Sequence, residues 1–351
     1  MMCDGNWRCA LLPLLAAGAL ASCSTAGFYR QALAGQMEMS RKARPVADVL
    51  ADPASKPLLR EKLTTARDIL AFAEAELGLP AKGQYERYAN LGRRYSVWVV
   101  FAAPEFSVEP KRWWYPLIGS LKYRGYFQEA PALREAERCR AQGLETFVGG
   151  VEAYSTLGWL RDPLLNTFIG RDDGDLAELL FHELTHQRLY LPGDTDFNEA
   201  LATAVGQEGA RRWLKARGRP DDLRAYEKEL RVERQFIAEL LRARDELKTL
   251  YARADMEENA LRQAKQAVFD QLRARIRALD QRHGGSLKLE KFFAKPVNNA
   301  RLATVATYHD LLPDFEALLK RCDGDLERFF KEVRALRHLK PEERAQRLRS
   351  P

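Results

Sequence analysis

Along most of the chain, hydrophobic residues recur three and four positions apart with polar residues between them, which is the spacing of amphipathic helices. Glycine and proline mark the ends of several of these stretches. The pattern predicts helices at residues 40–79, 129–145, 175–190, 195–218, 223–253, 256–282 and around 292–322. The two longest are highly charged and follow one another closely, so we expect them to form an antiparallel hairpin.

Two stretches carry a different pattern, in which β-branched and aromatic residues run together between glycines and prolines. They are RRYSVWVVFAAPEF at residues 93–106 and GLETFVGGVEAYSTLGWL at residues 143–160. Both indicate β-strands, and residues 111–127 between them indicate strand and loop. The predicted fold is therefore α+β and mainly helical, with a small mixed sheet and a long helical hairpin.

The composition is that of a folded protein, with 46% hydrophobic and 30% charged residues in a chain of 351. This length allows one large domain or two modest ones with a real core. The net charge of +7 would suit a nucleic-acid partner, but Lys and Arg are spread through predicted helices that also carry Asp and Glu. Because no basic run is interleaved with aromatic residues, we expect no nucleic-acid binding.

The start of the chain differs from the rest, since Arg8 precedes the apolar stretch ALLPLLAAGALA. That stretch is too short to span a bilayer as a mature helix and has the length of a secretory signal. The LASC sequence at residues 20–23 resembles the lipobox of bacterial lipoproteins. The resemblance implies that residues 1–22 are removed and that Cys23 is lipidated, which anchors the protein in the bacterial cell envelope facing the periplasm. Ser24 favours the outer membrane, and an ordinary signal peptide with a chance cysteine is the alternative.

The other cysteines follow from this export prediction. Cys3 and Cys9 would leave with the signal. Cys139 and Cys322 remain, and in an exported protein they could form one disulfide or stay free. Neither has the clustered spacing of a cysteine-based metal site.

The predicted helix at 175–190 contains a metal-binding pattern, HELTH, at residues 182–186. Two histidines four positions apart face the same way on a helix, so the rings of His182 and His186 can reach one metal ion together. Glu183 lies where it can reach a metal-bound water instead of the metal. This is the arrangement of zinc metallopeptidases, in which the histidines are ligands and the glutamate is the general base. We therefore expect one Zn²⁺ ion.

A catalytic zinc site needs a third protein ligand and an open position for water. The residues after His186 do not continue the pattern that would supply a third histidine. The next predicted helix returns after the turn LPGD and places Glu199 in its first turn, so Glu199 is the predicted third ligand. Thr203 shares its face and could support a ligand by a hydrogen bond. Glu208 is a weaker competitor, and a solvent-facing role for Glu199 at the helix start is the alternative.

These residues match a known family. The stretch FHELTHQRLYLPGDTDFNEALATAVGQEG, the lipobox, GGVEAYSTLGW and NNARLATVATYHDLLPDF together resemble the bacterial family of putative aminopeptidase lipoproteins, a group of gluzincin-type zinc metallopeptidases. The resemblance spans nearly the whole mature chain. It implies a zincin-like core, with His182, His186 and Glu199 as metal ligands, Glu183 as base and peptides as substrates. Arg188 departs from the pattern, because many zincins carry an apolar residue there.

The resemblance also implies how a substrate is held. Gluzincins commonly use a Tyr or His from a later helix to stabilise the oxyanion, and Tyr308 is the preferred candidate here over His309. Zincins bind an extended peptide along a sheet edge, for which GGVEAYSTLGW with Tyr154 is the candidate. Within it, Glu152 is reminiscent of the glutamate that holds the free amine in aminopeptidase N enzymes. Ordinary packing or solvent-facing roles remain the alternatives for these residues.

The predicted organisation has five parts. They are the signal at 1–22, an N-terminal anchor and helical segment at 23–80, the zincin-like catalytic core at 81–218, the charged hairpin at 219–285, and a C-terminal helical segment at 286–351 that completes the active site. The predicted function is a zinc aminopeptidase. An envelope endopeptidase with the same site is one alternative, and a lipid-anchored scaffold without catalysis is the other.

Overall fold

The computed structural model describes residues 27–115, 119–153 and 161–349, without the side chains of 306–309. Most of this chain is helical. The helices are α1 (27–42), α2 (Val46–Ala51), α3 (Pro57–Leu77), α4 (Glu129–Arg140), α5 (Asp173–Arg188), α6 (Thr195–Ala216), α7 (Pro220–Tyr251), α8 (Glu258–Arg282), α9 (Leu289–Phe293), α10 (Asn299–His309), α11 (Leu312–Arg321), α12 (Leu326–Ala335) and α13 (Pro341–Arg349), with a 3₁₀ turn at Leu336–His338. The mainly helical α+β class predicted from the sequence is confirmed.

The strands form three small sheets. They are β1 (Ala43–Pro45), β2 (Arg87–Ala89), β3 (Val97–Pro104), β4 (Trp113–Tyr115), β5 (Gly119–Leu121), β6 (Arg124–Tyr126), β7 (Leu144–Val151) and β8 (Leu164–Leu165). The sheet orders are β1-β2-β8, β6-β3-β7 and β4-β5. β3 pairs antiparallel with β6 and β7. The two stretches whose β-branched residues indicate strands in the sequence form β3 and β7.

The main hydrophobic core gathers side chains from both ends of the described chain around α5 and α6. Phe181 and Leu184 of α5 and Phe197 and Trp213 of α6 are almost completely buried. A helix that is apolar on most of its surface must be covered on several sides, and α3, α7, α11 and α12 supply the cover. The two helices that carry the metal-binding pattern are therefore central elements of the fold.

Apart from the start of α7, where Tyr226 and Leu230 belong to the main core, the charged hairpin has a separate core. Leu240 and Leu247 of α7 pack against Leu272 and Ile276 of α8, and Leu302 of α10 joins the same cluster. The helical spacing of these side chains along the sequence therefore reflects packing between α7 and α8.

One predicted helical stretch is interrupted. Residues 40–79 contain the strand β1 and a break at 52–56, between α2 and α3. Pro45 has no amide hydrogen and disfavours a helical conformation at Arg44, so the chain becomes extended there and pairs with Arg87–Ala89. The prediction of a continuous helix was wrong at this point because the partner strand is distant in sequence.

The two described cysteines are both free and buried. Cys139 lies against Trp113 and Tyr115, whereas Cys322 belongs to the main core. Of the two alternatives that the sequence left open, the structure has the unpaired one. Within the described ranges, no helix is long and apolar enough to cross a membrane.

Glycines let α5 and α6 approach closely. A Cβ atom added at Gly206 of α6 would lie 2.8 Å from the Glu178 carbonyl oxygen of α5. One added at Gly209 would lie 2.6 Å from the ring of Phe181 and 2.8 Å from Leu77. Because these distances are shorter than van der Waals contact, a larger residue at either position would push the two helices apart.

We expect Gly206→Ala to destabilise the protein, since the clash with backbone costs about 1–3 kcal/mol and outweighs the 0.5–1 kcal/mol, roughly, by which Ala is favoured in a helix. Thermal and urea unfolding measure the change. Gly170→Ala is the control, because no atom lies within 4 Å of the added Cβ, and it should alter stability by less than about 0.5 kcal/mol. Equal stability of the two variants would contradict the close approach.

Candidate metal centre

Three side chains from α5 and α6 converge on one point. His182 and His186 lie one turn apart on α5, and their Nε2 atoms are 3.2 Å apart. Glu199, the fifth residue of α6, places Oε2 3.2 Å from Nε2 of His182 and 3.7 Å from Nε2 of His186. Their potential ligand atoms all lie within 4.8 Å of one another, and in the described part of the chain no other group of three such side chains meets this condition.

The spacing fits a tetrahedral ion. Two nitrogens bound to zinc at about 2.0–2.1 Å in tetrahedral geometry stand roughly 3.3 Å apart, close to the separation of the two imidazoles. The donor set of two imidazoles and one carboxylate is that of a catalytic zinc site with an open fourth position. The three side chains are between 6% and 16% exposed, so the site is enclosed but reachable.

The charges of the site are strongly coupled. Burial alone would raise the pKa of Glu199, but hydrogen bonds to His182 and His186 outweigh it and hold that pKa at about 2. Burial lowers the pKa of His182, but the hydrogen bond to Glu199 and the negative charges of Glu199, Glu183 and Glu178 together outweigh burial and raise this pKa. Glu199 is therefore a carboxylate at neutral pH, which is the form that binds a cation.

Glu183 lies beside this group without joining it. Burial raises its pKa, His182 and His186 oppose the rise, and the negative charges of Glu199 and Asp162 add to it. A carboxylate whose pKa is raised toward neutrality is a better proton acceptor than an ordinary one. The role of Glu183 as general base stays a prediction, with which a raised pKa is compatible.

Two tyrosines near the site were not singled out by the sequence. Tyr85 is buried with a left-handed φ of 59°, unusual for a bulky residue, and its amide donates to the Asp162 carbonyl at 3.0 Å. Burial raises its pKa, and the charges of Glu183 and Asp162 add to the rise. Tyr190 meets the ring of His186 edge-on, with 6.2 Å between centroids. Its position four residues after His186 was a usable signal, whereas nothing local pointed to Tyr85.

A hydrogen bond joins α7 of the charged hairpin to α5, next to the histidine pair. The Tyr226 hydroxyl of α7 donates to Oε2 of Glu178 at 2.5 Å. Glu178 lies one turn before His182, and burial raises its pKa while Tyr226 and the nearby His182 oppose the rise. α7 therefore contacts the residues that surround the histidine pair, which the sequence did not indicate.

Arg188, the departure from the zincin pattern, has a structural role. Its guanidinium donates to the Gly78 carbonyl and lies 2.6 Å from Glu327. It also stacks over the ring of Phe330, 4.2 Å from the centroid. The polar residue at this position therefore fixes the end of α5 to α3 and α12, on the side where an apolar residue would otherwise pack.

The structure describes the surroundings of three other residues that the sequence singled out. Glu152 follows β7 and forms an ion pair with Arg171, with Oε2 2.9 Å from Nε and 2.8 Å from Nη2. Thr203 is buried one turn after Glu199. Glu208 lies on the same helix and pairs with Arg211 and Arg212. Their predicted roles stay predictions.

Three predicted positions lie outside the described residues or side chains. Tyr154 and Cys23 fall outside the described ranges, and Tyr308 belongs to α10 with its side chain outside the description.

In the predicted substrate strand, a Cβ at Gly150 would lie 2.3 Å from the ring of Tyr95. Gly150 therefore accommodates Tyr95, which is a packing reason for this glycine.

A known protein family matches this chain. No curated protein and no solved structure shows a significant match. A family model described as "Putative aminopeptidase" matches residues 27–348, which is nearly the whole described chain and includes both helices of the candidate site. The protein therefore belongs to this aminopeptidase-like family.

Proposed function

We propose that the protein is a zinc-dependent aminopeptidase, with one Zn²⁺ ion held by His182, His186 and Glu199. The observation that carries the proposal is the convergence of these three ligand atoms within 4.8 Å. Family membership supports peptide hydrolysis as the reaction. The succession of the HELTH helix and a second helix with the third ligand supports a gluzincin-type, zincin-like core.

Each residue of the site has its own proposed role in the reaction. Zinc bound there would polarise the substrate carbonyl and lower the pKa of its water to about 7. Glu183 accepts the proton from the attacking water and delivers it to the leaving amine. Tyr308 is the proposed hydrogen-bond donor to the oxyanion, since α10 packs against α6, which carries Glu199. No covalent intermediate with the protein is needed.

Glu152 is the proposed group for the substrate's free amine. Its carboxylate already binds Arg171, and the pair is about one-third exposed. A protonated amine could share the carboxylate, because a carboxylate accepts several hydrogen bonds. Tyr154 is proposed to contact the peptide in the same segment, and Thr203 is proposed to support the metal ligands.

The proposed location is the cell envelope, with a lipid anchor at Cys23. The lipobox at 20–23 supports this, and α1 begins the described chain just after it. On α1, Leu33 and Met37 are 65% and 61% exposed, one turn apart, which is compatible with a position close to lipid. The outer membrane is the proposed membrane, and the substrates are proposed to be peptides in the periplasm.

For the general base, we expect Glu183→Gln to keep stoichiometric zinc and to lose at least 100-fold, roughly, in kcat, because proton transfer is removed while the ligands remain. Metal analysis and hydrolysis of short peptides measure the two properties. Substrates with free and acetylated N-termini are compared in the same assay. Cleavage of both would favour an endopeptidase, and equal activity of the variant and the parent would end the proposal.

For the third ligand, we expect Glu199→Gln to weaken zinc binding by more than about 100-fold, because loss of a direct ligand should exceed the 10–100-fold effect of an outer partner. Titration against a chelator of known affinity measures the dissociation constant. Glu208→Gln is the matched control on α6 and should bind zinc as the parent does. Loss of zinc in the control instead would assign the ligand to Glu208.

For the anchor, we expect Cys23→Ala to move the protein from the detergent-rich to the aqueous phase after expression in a bacterium with lipoprotein processing, since the acyl chains provide most of the membrane affinity. Cys139→Ser is the control and should remain with the membrane. A Cys23→Ala protein that stays in the detergent-rich phase would rule out lipidation at this position.

A further inference from the structure

One buried amide ties the turn between α5 and α6 to the start of α6. Asn198 is 1% exposed and uses both polar atoms of its side chain on the backbone of Leu191. Its Nδ2 donates to the Leu191 carbonyl at 2.8 Å, and the Leu191 amide donates to its Oδ1 at 2.8 Å. Ionised Asp has no donor, Leu has neither group, and Ser carries donor and acceptor on a single oxygen, so none of these residues reproduces the pair of hydrogen bonds.

A second anchor comes from the C-terminal helix α13. Asp194 accepts a hydrogen bond from the Phe197 amide at 3.3 Å and so caps the start of α6. Its other oxygen lies 2.7 Å from the guanidinium of Arg344, which also stacks 5.5 Å above the ring of Phe197. Arg344 and Asp194 are both buried, at 6% and 9% exposure. A buried ion pair is held firmly, because breaking it leaves an uncompensated charge.

Both anchors act on the few residues that carry Glu199. Leu191 and Asp194 belong to the turn, Asn198 directly precedes Glu199, and Gly193 permits the turn with a φ of 83°. A chelating site requires each ligand to be held within about 0.5 Å of its productive position. A shift of the start of α6 would carry the Glu199 carboxylate away from both imidazoles.

We infer that Asn198 and Arg344 are positioning residues, which hold Glu199 at the distance from His182 and His186 that a metal ion requires. The inference rests on the proposed zinc site, but neither residue belongs to the group of three potential ligands. Removal of either anchor should loosen the turn and lower the affinity for zinc.

The test measures zinc affinity against stability, which requires no turnover. Asn198→Ala is compared with Asn299→Ala, a matched variant of another fully buried asparagine. Asn299 donates to the Pro104 and Glu105 carbonyls at 3.1 and 2.8 Å and accepts from Tyr251 at 3.0 Å, so it ties α10 to β3 without contacting the zinc ligands. Chelator competition gives the zinc dissociation constant, and thermal unfolding of the zinc-free proteins gives their stability.

We expect Asn198→Ala to raise the zinc dissociation constant by about 10–100-fold, the usual effect of losing a partner that orients a ligand. Asn299→Ala should lower the unfolding temperature comparably and leave zinc affinity unchanged. Arg344→Ala should act in the same direction as Asn198→Ala, and it decides the matter if Asn198→Ala does not fold.

Parent-like zinc affinity in a folded Asn198→Ala or Arg344→Ala protein would overturn the inference. An equal loss of zinc affinity in Asn299→Ala would also overturn it. A parent protein that binds zinc but hydrolyses no peptide would overturn the proposed function and leave this inference standing.

Discussion

The close packing of α5 against α6 is the constraint on which the rest of the molecule depends. It brings the Glu199 carboxylate within hydrogen-bond distance of His182, in a part of the core where an unpaired charge would be costly. Glycine at Gly206 permits this approach, since its Cα faces the backbone of α5. The same contact that buries the apolar sides of the two helices therefore also assembles the three potential ligands.

Single polar side chains connect this pair to helices that are remote in sequence. Tyr226 of α7 reaches Glu178, Arg344 of α13 reaches Asp194, and Arg188 of α5 reaches back to α3 and α12. Each contact fixes one end or one face of α5 or α6. The ligand geometry is therefore under the control of contacts on several sides.

Local patterns made the convergence of His182, His186 and Glu199 predictable, because the histidine pair and Glu199 lie close together in sequence and follow helical spacing. The strands β3 and β7 were predictable for a similar reason, since β-branched residues fill them. β1 was missed because its conformation depends on pairing with Arg87–Ala89, which no local pattern shows. Tyr85, Tyr226 and Arg344 are distant in sequence from the residues that they approach, so no local pattern indicates these contacts.

The arrangement of charge explains why a cation suits this site. Burial raises the pKa of Glu183, His182 and His186 oppose the rise, and the negative charge of Glu199 adds to it. A divalent ion held by the imidazoles and Glu199 would stabilise the pair of helices by its binding free energy. Glu183 would remain free of the ion and retain its capacity to accept a proton. Glu199, a largely buried carboxylate that requires a positive partner in the folded chain, is thus also what favours metal binding.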